Sequence, residues 1–403
     1  MKREKRPQSW RLATALVHAG LPARVDGDTG HALSPPIWQT ATFGFDRTQD
    51  AADAGLAHHP EAYYTRYGNP NFTEVESCVA ALEGAESALV TGSGMGAISL
   101  VFLGLLHPGD HVVAQKTHYV GTVKLLNHWL PRLGIECTTV DQTDPKAFAA
   151  AIRKNTKLLY AESPVNPTLA LTDLAAVAAV ARERGVTTCA DNTFATPFNQ
   201  RPLELGFDLV VHSATKYLAG HSDVTAGAVA GRRETIERLW EALIVFGMVS
   251  HPMESWLLTR GLQTFPFRME RHNANALSMA RFLEGRAEIA RVHYPGLASH
   301  PQHELAQRQM RGGFGGMVVF ELEGGYERAR SFTQRLRLAS RAVSLGGTKT
   351  LVAHAASMVF PHLTAQERRA AGVSDDLIRV SVGLEDAADI MEDFEQALSG
   401  SAG

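Results

Sequence analysis

Cysteine is scarce in this chain: three among 403 residues, Cys78, Cys137 and Cys189, with no CxxC spacing. An odd, scattered set argues against a disulfide framework and against a zinc site, and it fits a reducing, cytoplasmic setting. Long apolar runs are missing too, and none approaches the length needed to span a bilayer. Charge of one sign is not in excess. The 39 Lys and Arg against 42 Asp and Glu leave a formal net charge of -3, which gives no electrostatic footprint for nucleic acid or an anionic membrane. One basic cluster, MKREKR, opens the chain, but PQSW follows it and not an apolar segment. It reads as a solvated terminus, neither a secretory signal nor an anchor. The 17 histidines include His58–His59 and the His300/His303 pair. Neither has a supporting acidic motif, so they are expected to be surface or structural residues and no metal site is expected. No internal repeat or low-complexity linker stands out.

What remains is an ordinary globular composition, 45% hydrophobic and 20% charged, in a chain long enough for about two domains. The short apolar runs SALVT, DHVVAQ, TKLLYAES, VTTCAD, FDLVVHS and AGAVAG read as strands. Between them lie alanine- and leucine-rich helical stretches such as FTEVESCVAALEGA and LTDLAAVAAVARERG. Such alternation predicts an α/β fold with a mostly parallel sheet covered by helices. A long helical segment, roughly 250–285, breaks the pattern, and a smaller α+β region follows with strands near GGMVVFELEG and LIRVSVGLED. The first sixty or so residues look irregular and extended. In parallel sheets ligands bind at the carboxyl ends of the strands, so the residues just after each run matter most.

The run SALVT leads into TGSGMGAI, where Gly92, Gly94 and Gly96 open a helix. Glycines at such a turn let backbone N–H groups approach a phosphate beside the helix N-terminus. A tight turn without a ligand is one rival. A dinucleotide fingerprint through Gly92, Gly94 and Ala97 is another, weakened because Gln115 and Lys116, not an acid, follow the next strand. VTTCAD ends in Asp191, whose desolvation at a strand end raises its pKa unless a cation lies opposite, although an Asx turn would also place an aspartate there. FDLVVHS ends at Ser213, Thr215 and Lys216. A partly buried lysine is easier to deprotonate and suits a Schiff-base nucleophile, whereas a snorkelling lysine would do no chemistry. Together these signals place a phosphate cradle, a carboxylate and a lysine on one sheet edge, the set that pyridoxal 5'-phosphate (PLP) requires.

Seven motifs, YTRYGNP, SGMGAI, ESPVNP, ADNTFATP, HSATKYLAGHSD, HYPGLASHPQH and IRVSVGLED, occur in this order nearly end to end. In them the chain resembles the Cys/Met-metabolism (trans-sulfuration) family of fold-type I PLP enzymes. The resemblance implies an aspartate-aminotransferase-like fold. It divides the chain into an extended N-terminal arm at 1–65 that contacts a neighbouring subunit, a PLP-binding domain at 66–263, and a C-terminal α+β domain at 264–403. It implies that Lys216 carries the cofactor and moves protons, that Asp191 faces the pyridine nitrogen, and that Tyr119 stacks on the ring and serves in proton transfer. Gly94, Met95, Ser213 and Thr215 would hold the phosphate, and Tyr64 and Arg66 would reach the phosphate of a neighbouring subunit. Tyr64, Ser344 and Arg379 would bind substrate, with Arg379 on its α-carboxylate, and Asn166 would complete the contacts. Shared sites imply an oligomer, a homotetramer built as a dimer of dimers.

The activity implied is carbon–sulfur lysis by α,γ-elimination of a sulfur-containing L-amino acid. The alternative is γ-replacement, as in a homoserine-ester sulfhydrylase or cystathionine γ-synthase. A PLP-fold protein that binds without catalysis is a third reading, which Lys216, Asp191, Tyr119 and Arg379 speak against. The chain departs from the family's lyase patterns at Gly121, where a cysteine is usual, at Leu243 and Ile244, and at Lys349 in SLGGTKTLVAH. Gly121 and Lys349 are therefore expected to report on the substrate.

Overall fold

A computed structural model of the chain describes residues 11–19, 33–361, 363–370 and 372–399. The basic cluster MKREKR and much of the expected N-terminal arm lie outside the described residues. The larger sheet has seven strands: β1 (Ser87–Thr91), β2 (His111–Gln115), β3 (Glu136–Val140), β4 (Thr156–Glu162), β5 (Thr187–Asp191), β6 (Leu209–His212) and β7 (Gly227–Gly231). Their order is β1-β7-β6-β5-β4-β2-β3. Strands β2 to β6 pair in parallel, and β7 runs antiparallel to both of its neighbours. The strand β3 is not apparent from sequence because ECTTV carries no apolar run, and it lies at the sheet edge where only Val140 is buried.

Alternation along each strand divides the side chains between two covered faces. Leu158 and Tyr160 of β4 join Phe102 and Leu100 on one side, while Leu159 and Ala161 join Val177 and Ala181 on the other. Burial on both faces explains why these strands read as continuous apolar runs. Truncating a side chain such as the fully buried Phe102 costs about 3–5 kcal/mol in cores of this kind.

Helices α1 (Leu12–Val17) and α2 (Thr48–Leu56) occupy a region read from sequence as irregular and extended, so that reading is corrected. None of the nine residues of α2 is buried, and TQDAADAGL shows no apolar stripe to betray it. Around it the chain is extended, with Thr42 bridging Tyr64. Helix α3 (Pro70–Glu83) starts where the Asn69 side chain accepts the Asn71 N–H, has Pro70 in its first turn, and ends at Gly84 in left-handed conformation. Helix α4 (Gly94–Leu105) follows β1 and is capped by Ser93, whose Oγ accepts the Gly96 N–H.

The long helical segment is two helices, Pro252–Gln263 and Phe265–Glu284, separated at Thr264 with proline at the start of each. Beyond them a five-stranded sheet of order β10-β11-β12-β9-β8 is formed by β8 (Ile289–His293), β9 (Met317–Leu322), β10 (Ser340–Arg341), β11 (Leu351–His354) and β12 (Leu377–Ser381). Among the described residues, no helix is long and apolar enough to cross a membrane.

Candidate active site

The carboxyl ends of β1, β4, β5 and β6 converge on one cavity of about 470 Å³, closed on its far side by the loop after β10 and by β12. Ten of the twelve residues singled out from sequence line it: Gly94, Met95, Tyr119, Asn166, Asp191, Ser213, Thr215, Lys216, Ser344 and Arg379. Tyr64 and Arg66 do not. Arg66 donates to the Ile244 carbonyl at 2.8 Å and lies over the Tyr67 ring, and Tyr64 is half-exposed.

At one end, the N-terminus of α4 faces the loop after β6. A Cβ on Gly94 would stand 2.7 Å from the Ser213 Cβ, so glycine is what lets the two segments close. Ser93 satisfies the Gly96 amide, which leaves the first amides of the helix, those of Gly94 and Met95, without helical partners. The Thr215 hydroxyl is turned to the backbone of Ala226, donating to its carbonyl at 3.1 Å and accepting its N–H at 2.9 Å.

Asp191 ends β5 and is buried, which pushes its pKa up to about 6; the neighbouring Glu162 adds to the shift, and hydrogen bonds from Thr193 oppose it. The Thr193 N–H donates to Asp191 Oδ1 at 3.0 Å, and Thr193 Oγ1 accepts the Ser213 N–H at 2.8 Å. Lys216 Nζ donates to Ser344 Oγ at 2.6 Å. Burial, helped by the positive charge of Arg379, pulls its ammonium down to about 8. Arg379 is 5% exposed on the central strand β12. It donates to Asn166 Oδ1 and to the Ser344 carbonyl, both at 3.2 Å. Burial pulls it down to about 10. No carboxylate among the described residues pairs with this guanidinium, so a buried cation with spare N–H donors faces the cavity.

Residues 13–399 match the sequence profile of the family described as Cys/Met metabolism PLP-dependent enzyme. The chain belongs to this family. Among its relatives, the L-methionine gamma-lyase of Pseudomonas putida is 45% identical over 97% of this chain and 98% of its own length. The L-methionine gamma-lyase of Fusobacterium nucleatum subsp. nucleatum is 44% identical over 96% of this chain and 98% of its own length. Among solved structures, the cystathionine gamma synthase from Xanthomonas oryzae pv. oryzae in complex with cystathionine has a TM-score of 0.89 at 41% identity, covering 97% of this chain and 98% of that one.

The cavity of this Cys/Met metabolism enzyme suits PLP on its own chemistry. It offers a helix N-terminus and hydroxyls for an anion, a buried carboxylate for a ring nitrogen, and an amine of lowered pKa for an aldehyde. Several of its residues are not singled out in the sequence reading. Glu162 ends β4 as Asp191 ends β5, and the same strand-end rule could have found it inside ESPVNP. Val343, Met358, Val359 and Phe360 form an apolar wall of the cavity together with Ile98 and Phe194. Only tertiary packing brings these together. Lys349, expected to report on the substrate, has an exposed side chain outside the cavity lining. In that loop it is Thr350 that is anchored, with N–H and hydroxyl both donating to Glu385. Gly121 sits beneath the site, where a Cβ would stand 2.7 Å from both Met95 Sδ and the Tyr119 ring.

Proposed function

We propose that this enzyme is a carbon–sulfur lyase that performs α,γ-elimination on a sulfur-containing L-amino acid, such as methionine, cystathionine or a homologue. With water consumed, the products are a 2-oxo acid, ammonia and a thiol. The observation that carries this reading is a buried Arg379, with no carboxylate partner among the described residues, in a cavity that is also lined by apolar side chains. An amino-acid carboxylate satisfies the guanidinium as a bidentate partner, and a thioether suits the wall of Val343, Met358, Val359 and Phe360.

The amides of Gly94 and Met95 and the hydroxyls of Ser213 and Thr215 are the groups that would hold the cofactor phosphate, after the Thr215 hydroxyl rotates away from Ala226. Tyr119 would cover the ring and Asp191 would hold its nitrogen. When bound there, PLP supplies an electron sink for negative charge developed at the substrate's Cα and Cβ. The chain's own groups do the rest. Arg379, steadied by Asn166 and the Ser344 carbonyl, fixes the α-carboxylate and so aims the α-proton. The Lys216 amine, its pKa pulled down to about 8, takes that proton and can return it, with Ser344 Oγ within hydrogen-bond reach. The Tyr119 hydroxyl or Lys216 donates a proton to the departing sulfur. The apolar wall keeps water from the charged steps until the thiol has left.

A second reading, γ-replacement, is favoured by the likeness to cystathionine gamma synthase. It needs the same groups and differs in what enters after the leaving group departs. A substrate panel separates the two by scoring thiol and 2-oxo acid release against consumption of O-acetyl- or O-succinylhomoserine with sulfide or cysteine. The lyase reading expects thiol release to dominate; clear preference for the esters overturns it. Lys216→Ala should abolish turnover in either case. The reading also includes a homotetramer with shared sites, in which Tyr64 and Arg66 serve a neighbouring cavity. Its organisation is an arm at 1–65, a PLP-binding domain at 66–263 and an α+β domain at 264–403, and its setting is the cytoplasm, in keeping with free Cys78, Cys137 and Cys189.

A further inference from the structure

Glu162 is the last residue of β4, in register with Asp191 of β5, and it is 4% exposed. Its two oxygens are spoken for separately. Oε2 accepts the Tyr119 N–H at 2.8 Å, and Oε1 accepts the Asn166 N–H at 3.1 Å. Tyr119 starts the helical turn over one side of the cavity, and Asn166 supplies the Oδ1 that receives Arg379. One buried carboxylate therefore ties the segment of the ring-covering tyrosine to the segment that steadies the carboxylate-binding arginine.

We propose that Glu162 is a positioning residue that holds Tyr119 and the Asn166–Arg379 pair in one fixed relation, so that ring cover and carboxylate grip are set together. The donor count is the physical reason. Two backbone N–H groups arrive at the two ends of one side-chain head, and only a carboxylate offers an acceptor at both; an amide of the same shape would turn a donor toward one of them. Among the described residues no lysine or arginine pairs with Glu162. Burial pulls the His118 imidazole down to about 3, so it is neutral beside Glu162 Oε2 at 3.5 Å, and Asp191 on the next strand has the same sign as Glu162. Burial pushes Glu162 itself up to about 7, while the two amide bonds favour its ionised form. Burying a carboxylate without a cation is costly, and the two amides are what offset that cost here. The inference deepens the lyase reading and rests on it for the roles of Tyr119 and Arg379.

The test is Glu162→Gln in the PLP-loaded enzyme. The expected result is a folded protein with full cofactor content and a thermal midpoint close to wild type. Its affinity for glycine, an unreactive amino acid followed by the cofactor absorbance, should fall on the order of tenfold, as for one lost hydrogen bond to a charged group. The visible circular dichroism of the cofactor should change at the same time, because the Tyr119 segment shifts, and the loss in kcat/KM should include a rise in KM. Unchanged glycine affinity and dichroism in the folded variant overturn the proposal, whatever substrate the wild type prefers. If the variant loses its fold, hydrogen exchange on the wild type decides. Release of one carboxylate frees both amides, so Tyr119 and Asn166 should show equal protection, and unequal protection overturns the coupling. Thiol release by the wild type tests the lyase reading separately.

Discussion

Asp191 and Lys216 are each pushed toward neutrality by burial, the carboxyl up to about 6 and the ammonium down to about 8. This has a consequence that can be measured in the cofactor-free protein. A cationic ring nitrogen opposite Asp191 favours the ionised carboxylate, so the bound pKa falls below the free value. Affinity for PLP therefore strengthens as pH rises through about 6 and levels off above it. Capture by Lys216 needs the neutral amine, so the rate of capture rises in turn as pH rises through about 8. Each step amounts to at most about tenfold per pH unit. Absorbance followed between pH 5 and 9 should show both, the first in affinity and the second in the rate of capture. Asp191→Asn should erase the lower one and Lys216→Ala the upper one; a flat wild-type profile would contradict both assignments. Glu162 belongs at this scale as well, because its two hydrogen bonds reach residues 43 positions before it and four after it.

At the scale of elements, the decisive feature is the junction of β1 with α4. Ser93 caps the helix and Gly94 permits contact with Ser213, two separable contributions. Ser93→Ala should cost about 1 kcal/mol of stability in denaturant melts and weaken PLP binding only modestly. Gly94→Ala drives a methyl group into Ser213 and should weaken PLP binding much more than Ser93→Ala does; equal effects in the two variants would show that the cradle is not at this turn. The strands feeding this junction were legible in the sequence because burial on both faces makes each an unbroken apolar run. The strand β3 and helix α2 were not, since ECTTV lies at an edge and α2 buries none of its residues. Propensity without burial leaves little pattern to read.

For the whole molecule, the cavity needs parts from both sheets. The larger sheet supplies the strand ends and the loop after β6, while β12 and the loop after β10 supply Arg379 and Ser344. Tyr64 and Arg66 remain outside their own chain's cavity, on a surface that also exposes Phe246 and Val245. If they complete a neighbour's site, two inactive variants should rescue one another. Mixing Lys216→Ala with Arg66→Ala under conditions of subunit exchange should restore part of the activity, because some mixed pairs carry one intact site. No recovery, with exchange shown by mass, would place Tyr64 and Arg66 outside the active site.

The sequence by itself determined the α/β class and the family resemblance, and it marked Gly94, Asp191, Ser213, Thr215 and Lys216, because strand-end chemistry and the glycine turn are local and leave local marks; Met95, Tyr119, Asn166, Ser344 and Arg379, which line the same cavity, came only through the resemblance. Even Asp191 and Lys216 follow from that rule, each lying at or just after the end of an apolar run. Tertiary structure alone decided that Glu162 bridges Tyr119 and Asn166, that Arg379 has no carboxylate partner among the described residues, and that Val343, Met358, Val359 and Phe360 line the site together. It also decided that Lys349 faces solvent. These are contacts between segments far apart in the chain, and spacing along a sequence carries no record of which distant side chain, or which empty volume, a residue will meet.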